Sequence, residues 1–200
     1  PYSVVEFDMT TKEKIILKQH EVLDKKFNKN NYVTERIWAD SKDGNQIPIS
    51  LIYKKGIKKD GSNPLLLYGY GSYGNTIDPS FSISRLSLLD RGFIYAIAHV
   101  RGSEYLGRDW YEQGKLLNKK NSFNDFVDTT KFLISKGYTS SKHCYAYGGS
   151  AGGLLMGAVL NIAPELYNGV IAAVPFVDVI TTMLDETIPL TTSEYDEWGN

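Results

Sequence analysis

The sequence predicts an α/β fold: a mostly parallel sheet with helices on both faces, preceded by a separate β-hairpin. Three observations lead there. Four short, nearly continuous apolar runs (65–70, 93–100, 144–147 and 169–174) have the pattern of strands buried on both faces. Segments of helical periodicity lie between them, and strands alternating with helices build parallel sheets. At the N-terminus, by contrast, Val5, Phe7 and Met9 alternate with Glu6 and Asp8 at strand period.

Each element follows in chain order. Residues 3–9, a polar turn at 10–13 and the apolar run Ile15 to Leu17 read as one hairpin, which is marginal on its own in water. Residues 25–31, KKFNKNN, are polar and read as a linker. A second hairpin follows, with one arm at 36–40, Asp43-Gly44 in the turn, and Ile47, Ile49, Leu51 and Tyr53 alternating along the other arm. Helices are expected at 84–90, 122–136 and 151–163. In the second, Ser122 is placed to cap, with Asp125 three residues on, and Phe126, Val127, Thr130 and Leu133 form its stripe. Pro164 stops the third.

Composition narrows the function classes. The 200 residues are 42% hydrophobic, enough for a core, and the net charge of −1 gives no field that would favour nucleic acid or an anionic membrane. No apolar run is long enough to cross a bilayer, and PYSVVEFD has no secretory pattern. A single cysteine, Cys144, cannot form an internal disulfide, which fits a reducing, cytoplasmic setting.

The chemical signal is Gly148-Gly149-Ser150-Ala151-Gly152, a G-x-S-x-G sequence between the strand CYAY and an apolar helix. In that context Ser150 sits on a tight strand-to-helix turn that pushes its hydroxyl out above the sheet. Side chains at 148 and 152 would strike neighbouring backbone, and the helix N-terminus aims free N–H groups at the reacting oxygen. Two weaker signals have ordinary readings as well. Tyr68-Gly69-Tyr70-Gly71 ends a buried strand; its tyrosines read equally as core residues or as a phenol poised over an oxyanion. Glu194, Asp196 and Glu197 read as a solvated acidic loop, or as a pair of carboxylates converging on a guanidinium.

Longer stretches carry a family resemblance: YVTERIWA (32–39), YGYGSYG (68–74), IDPSFSISRLSLLDRGF (77–93), HVRG (99–102), GKLLNKKNSFNDF (114–126), GGSAGGLLMGAVLN (148–161) and 174–200. Together they resemble the prolyl oligopeptidase family of serine peptidases, in its oligopeptidase B branch. Ala151, where prolyl oligopeptidase proper usually has Asn, points to that branch. The resemblance implies a β-propeller beside an α/β-hydrolase domain. Residues 1–25 then match the end of the propeller, 26–36 a linker, and 37–200 the front of a partial α/β-hydrolase fold. It implies cleavage of short peptides after Arg or Lys, with no cofactor, metal, nucleic acid or membrane.

Residue by residue, Ser150 matches the nucleophile, and Tyr70 with the N–H of Ala151 the oxyanion donors. Glu194 and Asp196 match the acids that receive the basic P1 side chain, with Asp196 shorter than the Glu often found there. Tyr73 matches an aromatic of that pocket and Asp78 an acid of the P2 side, whose usual acidic neighbour is Ser80 here. The family's triad Asp and His lie farther along than residue 200. All three histidines, His20, His99 and His143, precede Ser150, whereas the hydrolase order is Ser, acid, His. The 200-residue chain is therefore expected to be inactive alone. The alternatives are an esterase or acyl-aminoacyl peptidase on the same fold, or a non-catalytic interaction module.

Overall fold

The computed structural model describes residues 1–200. The N-terminal alternation folds as expected into a hairpin of β1 (Ser3–Phe7) and β2 (Lys14–Gln19), a two-stranded sheet of its own with every strand residue exposed. The polar segment after it is anchored by one aromatic: Phe27 stacks on Tyr32 and meets Phe81 edge-on.

The main sheet begins with the second hairpin, β3 (Tyr32–Asp40) and β4 (Gln46–Lys54), paired from Tyr32↔Lys54 to Asp40↔Gln46. Gly44 turns the chain at φ 84°, a conformation open to glycine without strain. The apolar runs become β5 (Leu65–Tyr68), β6 (Ile94–Ala98), β7 (Cys144–Gly149) and β8 (Gly169–Ala173). The strand order is β3-β4-β6-β5-β7-β8. β4 runs antiparallel to both β3 and β6, and the remaining pairs are parallel. The sheet is thus mixed, with its parallel part carrying the glycine-rich turn.

Helices cover both faces. α3 (Lys120–Ser135) and α4 (Ala151–Ile162) lie over the larger core, where Phe126, Leu133, Leu155 and Met156 meet Ile47, Ile49, Leu65, Leu67 and Ala146. Full burial of side chains such as Phe126 and Leu155 contributes about 1.5–3 kcal/mol each. α1 (Ile83–Asp90) covers the other face through Leu86 and Leu89 against Leu66, Tyr95 and Ile97. β8 is a sheet edge with Ile171 exposed. No helix is long and apolar enough to cross a membrane.

Short helices α2 (Arg108–Glu112), α5 (Val179–Met183) and α6 (Tyr195–Trp198) had no periodic signature long enough to read. One expectation is corrected: Ser122 does not cap α3, which begins two residues earlier. Ser122 is itself buried against the loop after β6. The Ser122 hydroxyl therefore donates to the carbonyl of Arg101 at 2.7 Å. Asp125 accepts the backbone N–H and the Nε of Arg101, both at 2.9 Å, instead of closing a capping box.

Candidate active site

β7 ends at Gly149 and α4 starts at Ala151, so the whole reversal falls on Ser150. Its backbone takes φ 55°, ψ −120°, a region that costs a non-glycine residue about 1–3 kcal/mol and persists only where the surroundings impose it. The neighbours do so. The Ser150 N–H donates to Ala173 O at 2.9 Å, and its carbonyl accepts from Gly153 N at 2.8 Å and Phe176 N at 3.1 Å. A Cβ on Gly148 would run into the carbonyl of Gly152, and one on Gly152 would sit 2.7 Å from the carbonyl oxygen of Gly69. Both glycines therefore let the turn close against the end of β5. The side chain of Ser150 is left exposed, at the head of a helix whose first N–H groups, including that of Ala151, have no intrahelical partner.

Tyr70 lies two residues beyond the end of β5, so the loop and not strand alternation places it. It packs on the turn: the same Cβ on Gly152 would touch its Cα and Cδ2 at 3.3 Å. Burial pushes the phenol's pKa up, while the adjacent side chains of Asn75 and Ser150 oppose that shift. A neutral phenol beside the Ser150 hydroxyl is a donor available to a nascent negative charge.

The same loop carries Tyr73, held at φ 58°. Its hydroxyl donates to Glu194 Oε2 at 2.7 Å, and Trp198 Nε1 donates to the same oxygen at 3.0 Å. Burial and the adjoining carboxylate push the Tyr73 phenol well above its ordinary range. Trp198 meets Tyr73 edge-on at 5.7 Å and Phe176 at 5.3 Å. Two aromatic side chains therefore hold one oxygen of a half-buried carboxylate, whose Oε1 has no donor within the chain.

The three acids of the cluster separate. Residues two apart on a helix do not face each other, and Asp196 is exposed, with no hydrogen bond, while Glu194 joins Tyr73. Glu197 is 2% exposed and paired with Lys119. Asp78 and Ser80 are exposed on the loop before α1, and no hydrogen bond joins either to Ser150, Tyr70 or Glu194. His99 is a packed residue. Its Nε2 lies 2.7 Å from Ser50 Oγ and its ring stacks on Tyr105 at 3.7 Å. Burial, with Arg36 nearby, lowers its pKa to about 3. His20 sits against Tyr2 on the outlying hairpin, and His143 is exposed. Sequence reasoning missed Trp198 and Phe176. Trp198 stands four residues after Glu194, a spacing that joins side chains only once the segment is helical.

Comparison with known proteins identifies the family of the chain. A family model described as the prolyl oligopeptidase family matches residues 79–200. The chain is 54% identical over 201 residues to Dipeptidyl aminopeptidase BI of Pseudoxanthomonas mexicana, covering 100% of this chain and 28% of that protein. It is 50% identical over 174 residues to Protease 2 of Moraxella lacunata, covering 87% of this chain and 25% of that one. Among solved structures, oligopeptidase B from Trypanosoma brucei with covalently bound antipain superposes with a TM-score of 0.92 at 49% identity. That match covers 99% of this chain and 28% of that one. Oligopeptidase B from Leishmania major gives 0.90 at 47%, over 98% and 27%. The chain thus spans little more than a quarter of the length of these relatives.

Proposed function

This chain belongs to the oligopeptidase B branch of the prolyl oligopeptidase family, and on that premise we propose that it forms the nucleophile half of a serine peptidase site that cleaves short peptides after Arg or Lys. The observation that carries the reading is Ser150: an exposed hydroxyl at positive φ on a sheet-to-helix crossing, with the Tyr70 phenol beside it.

In this reading Ser150 Oγ attacks the scissile carbonyl carbon. Its proton passes to a general base, and the Tyr70 hydroxyl and Ala151 N–H donate to the oxyanion. Collapse of the intermediate breaks the C–N bond, the base returns the proton to the leaving amine, and water hydrolyses the resulting ester on Ser150. Glu194 receives the guanidinium or ammonium of P1 beside the rings of Tyr73 and Trp198, and the exposed Asp196, two residues along the chain, adds a second negative charge without sharing that contact. Asp78 serves the P2 side. Residues 1–25 belong to a β-propeller, and the linker that follows ends before Tyr32, where β3 enters the main sheet, and not at 36 as expected from the sequence.

No histidine follows Ser150 in the 200 residues, so the base comes from outside this segment, and the segment alone has no peptidase activity. Losing the base of a serine triad costs about 10⁶ in kcat. The test is made in the full-length protein, with peptide amides that differ only in Arg or Ala at P1. Replacing Glu194→Ala together with Asp196→Ala should remove the preference for Arg and leave the Ala substrate unchanged, and Ser150→Ala should abolish both activities. Selectivity that survives the double substitution would refute the basic-residue specificity.

A further inference from the structure

The segment GKLLNKKNSFNDF places one side chain between two stretches that carry site residues. Lys119 is 12% exposed, and its Nζ donates to Gly71 O and Ser72 Oγ, both at 2.6 Å, and to Glu197 Oε1 at 3.1 Å. An ammonium has three donors, and here each has an acceptor. Those acceptors come from two separate stretches of chain. Gly71 and Ser72 lie between Tyr70 and Tyr73, whereas Glu197 lies in α6 between Glu194 and Trp198. Glu197 is buried in turn, and its other oxygen accepts from the Tyr111 hydroxyl at 2.9 Å. The ammonium also sits 4.9 Å over the Trp198 ring.

An ion pair in such a place is a poor source of stability, because desolvating two charges offsets their attraction. What it supplies is geometry. Burial lowers the pKa of Lys119, and the adjoining Glu197 carboxylate works against that shift.

Resting on the peptidase reading above, we infer that Lys119 is a positioning residue that ties the Tyr70–Tyr73 loop to α6. It thereby sets the spacing between the phenol at the reacting carbonyl and the Glu194 carboxylate that receives the substrate's side chain. Lys119 touches neither substrate nor reacting atoms. It acts on kcat through Tyr70 and on KM through Glu194, and both arms depend on one set of hydrogen bonds.

The experiment uses the full-length enzyme with rates expressed per Ser150 titrated by an organophosphonate, so that unfolded molecules do not count. Lys119→Met is compared with Lys119→Met combined with Glu197→Gln, which leaves no unpaired carboxylate buried. Tyr111→Phe serves as a milder third variant that keeps both charges. Two substrates are used: an Arg peptide amide, and p-nitrophenyl acetate, which offers Glu194 nothing to bind. Misplacement of about 1 Å can cost about 10²-fold in rate. The double variant should lose about that much in kcat/KM on the Arg peptide, lose less on the acetate, and show a reduced Arg-over-Ala ratio. Tyr111→Phe should move the same ratio in the same direction by less. Per-site constants equal to wild type for both substrates in the variants that fold would overturn the inference, leaving Lys119 a purely structural residue. Wild-type cleavage that survives Ser150→Ala would instead remove the peptidase reading on which it rests.

Discussion

The Tyr73 hydroxyl donates to the Glu194 carboxylate at 2.7 Å across 121 residues of chain, and it shares the accepting oxygen with the indole N–H of Trp198. Both donors hold Oε2, and no donor within the chain engages Oε1. The two donors hold the carboxylate in place, which under the proposed function reduces the ordering that binding of a basic side chain must supply.

Removing one of those donors should weaken binding without touching chemistry. Tyr73→Phe in the full-length enzyme is expected to raise KM for Arg substrates about tenfold, the low end for a hydrogen bond to a charged group, with kcat nearly unchanged. Steady-state kinetics on Arg and Ala peptide amides check it; the Ala substrate should be indifferent.

The other phenol of the loop should behave in the opposite way. Tyr70→Phe removes a donor that acts as charge develops on the carbonyl oxygen, so kcat is expected to fall about 10²–10³-fold with little change in KM. A fall confined to KM would assign Tyr70 to substrate binding.

The turn itself leaves no room for a methyl group. In Gly152→Ala the new Cβ meets the Gly69 carbonyl oxygen at 2.7 Å. Backbone cannot step aside as a flexible side chain can, so a loss of about 1–3 kcal/mol is expected. Chemical denaturation, read at the catalytic region, measures it, and loss of organophosphonate labelling should accompany it.

Buried His99 should leave a signature in the pH dependence of stability. Burial, aided by Arg36, holds its folded pKa at about 3 against an ordinary 6.5. The unfolded chain therefore takes up a proton that the folded chain refuses. Stability falls as pH drops below about 6.5, at up to about 1.4 kcal/mol per pH unit. Asp43 acts lower down. Burial raises its pKa, but hydrogen bonds from Arg101 and Ser41 outweigh that and hold it far below 3.8, so its contribution is lost only in stronger acid. His99→Gln should accordingly reduce the loss of stability between pH 7 and pH 5 by about 2 kcal/mol, measured as denaturation midpoints of both proteins.

Where local chemistry decides the structure, the sequence already showed it. The glycines at 148 and 152 and the strand–helix context placed Ser150 on a strained turn, and the structure has it there at φ 55°. The apolar runs marked β5 to β8, and β5 and β6 are indeed almost wholly buried; β8 departs from that pattern, because it is the last strand of the sheet and has no fully buried residue. The parts that escaped notice depend on distant segments. Ser122 looked like a cap until the loop after β6 offered it the Arg101 carbonyl. Glu194, Asp196 and Glu197 looked alike in the sequence. In the structure one is held by Tyr73, one is in solvent and one is buried on Lys119. Nothing within a window of ten residues distinguishes them, since Tyr73 and Lys119 reach them across the fold.

The most direct measurement is covalent labelling of the full-length protein with an organophosphonate, followed by mass mapping of the modified peptide. A single tag on Ser150 is expected, lost together with peptidase activity in Ser150→Ala and slowed in Tyr70→Phe. A tag on another residue, or Arg-peptide cleavage undiminished in Ser150→Ala, would contradict it.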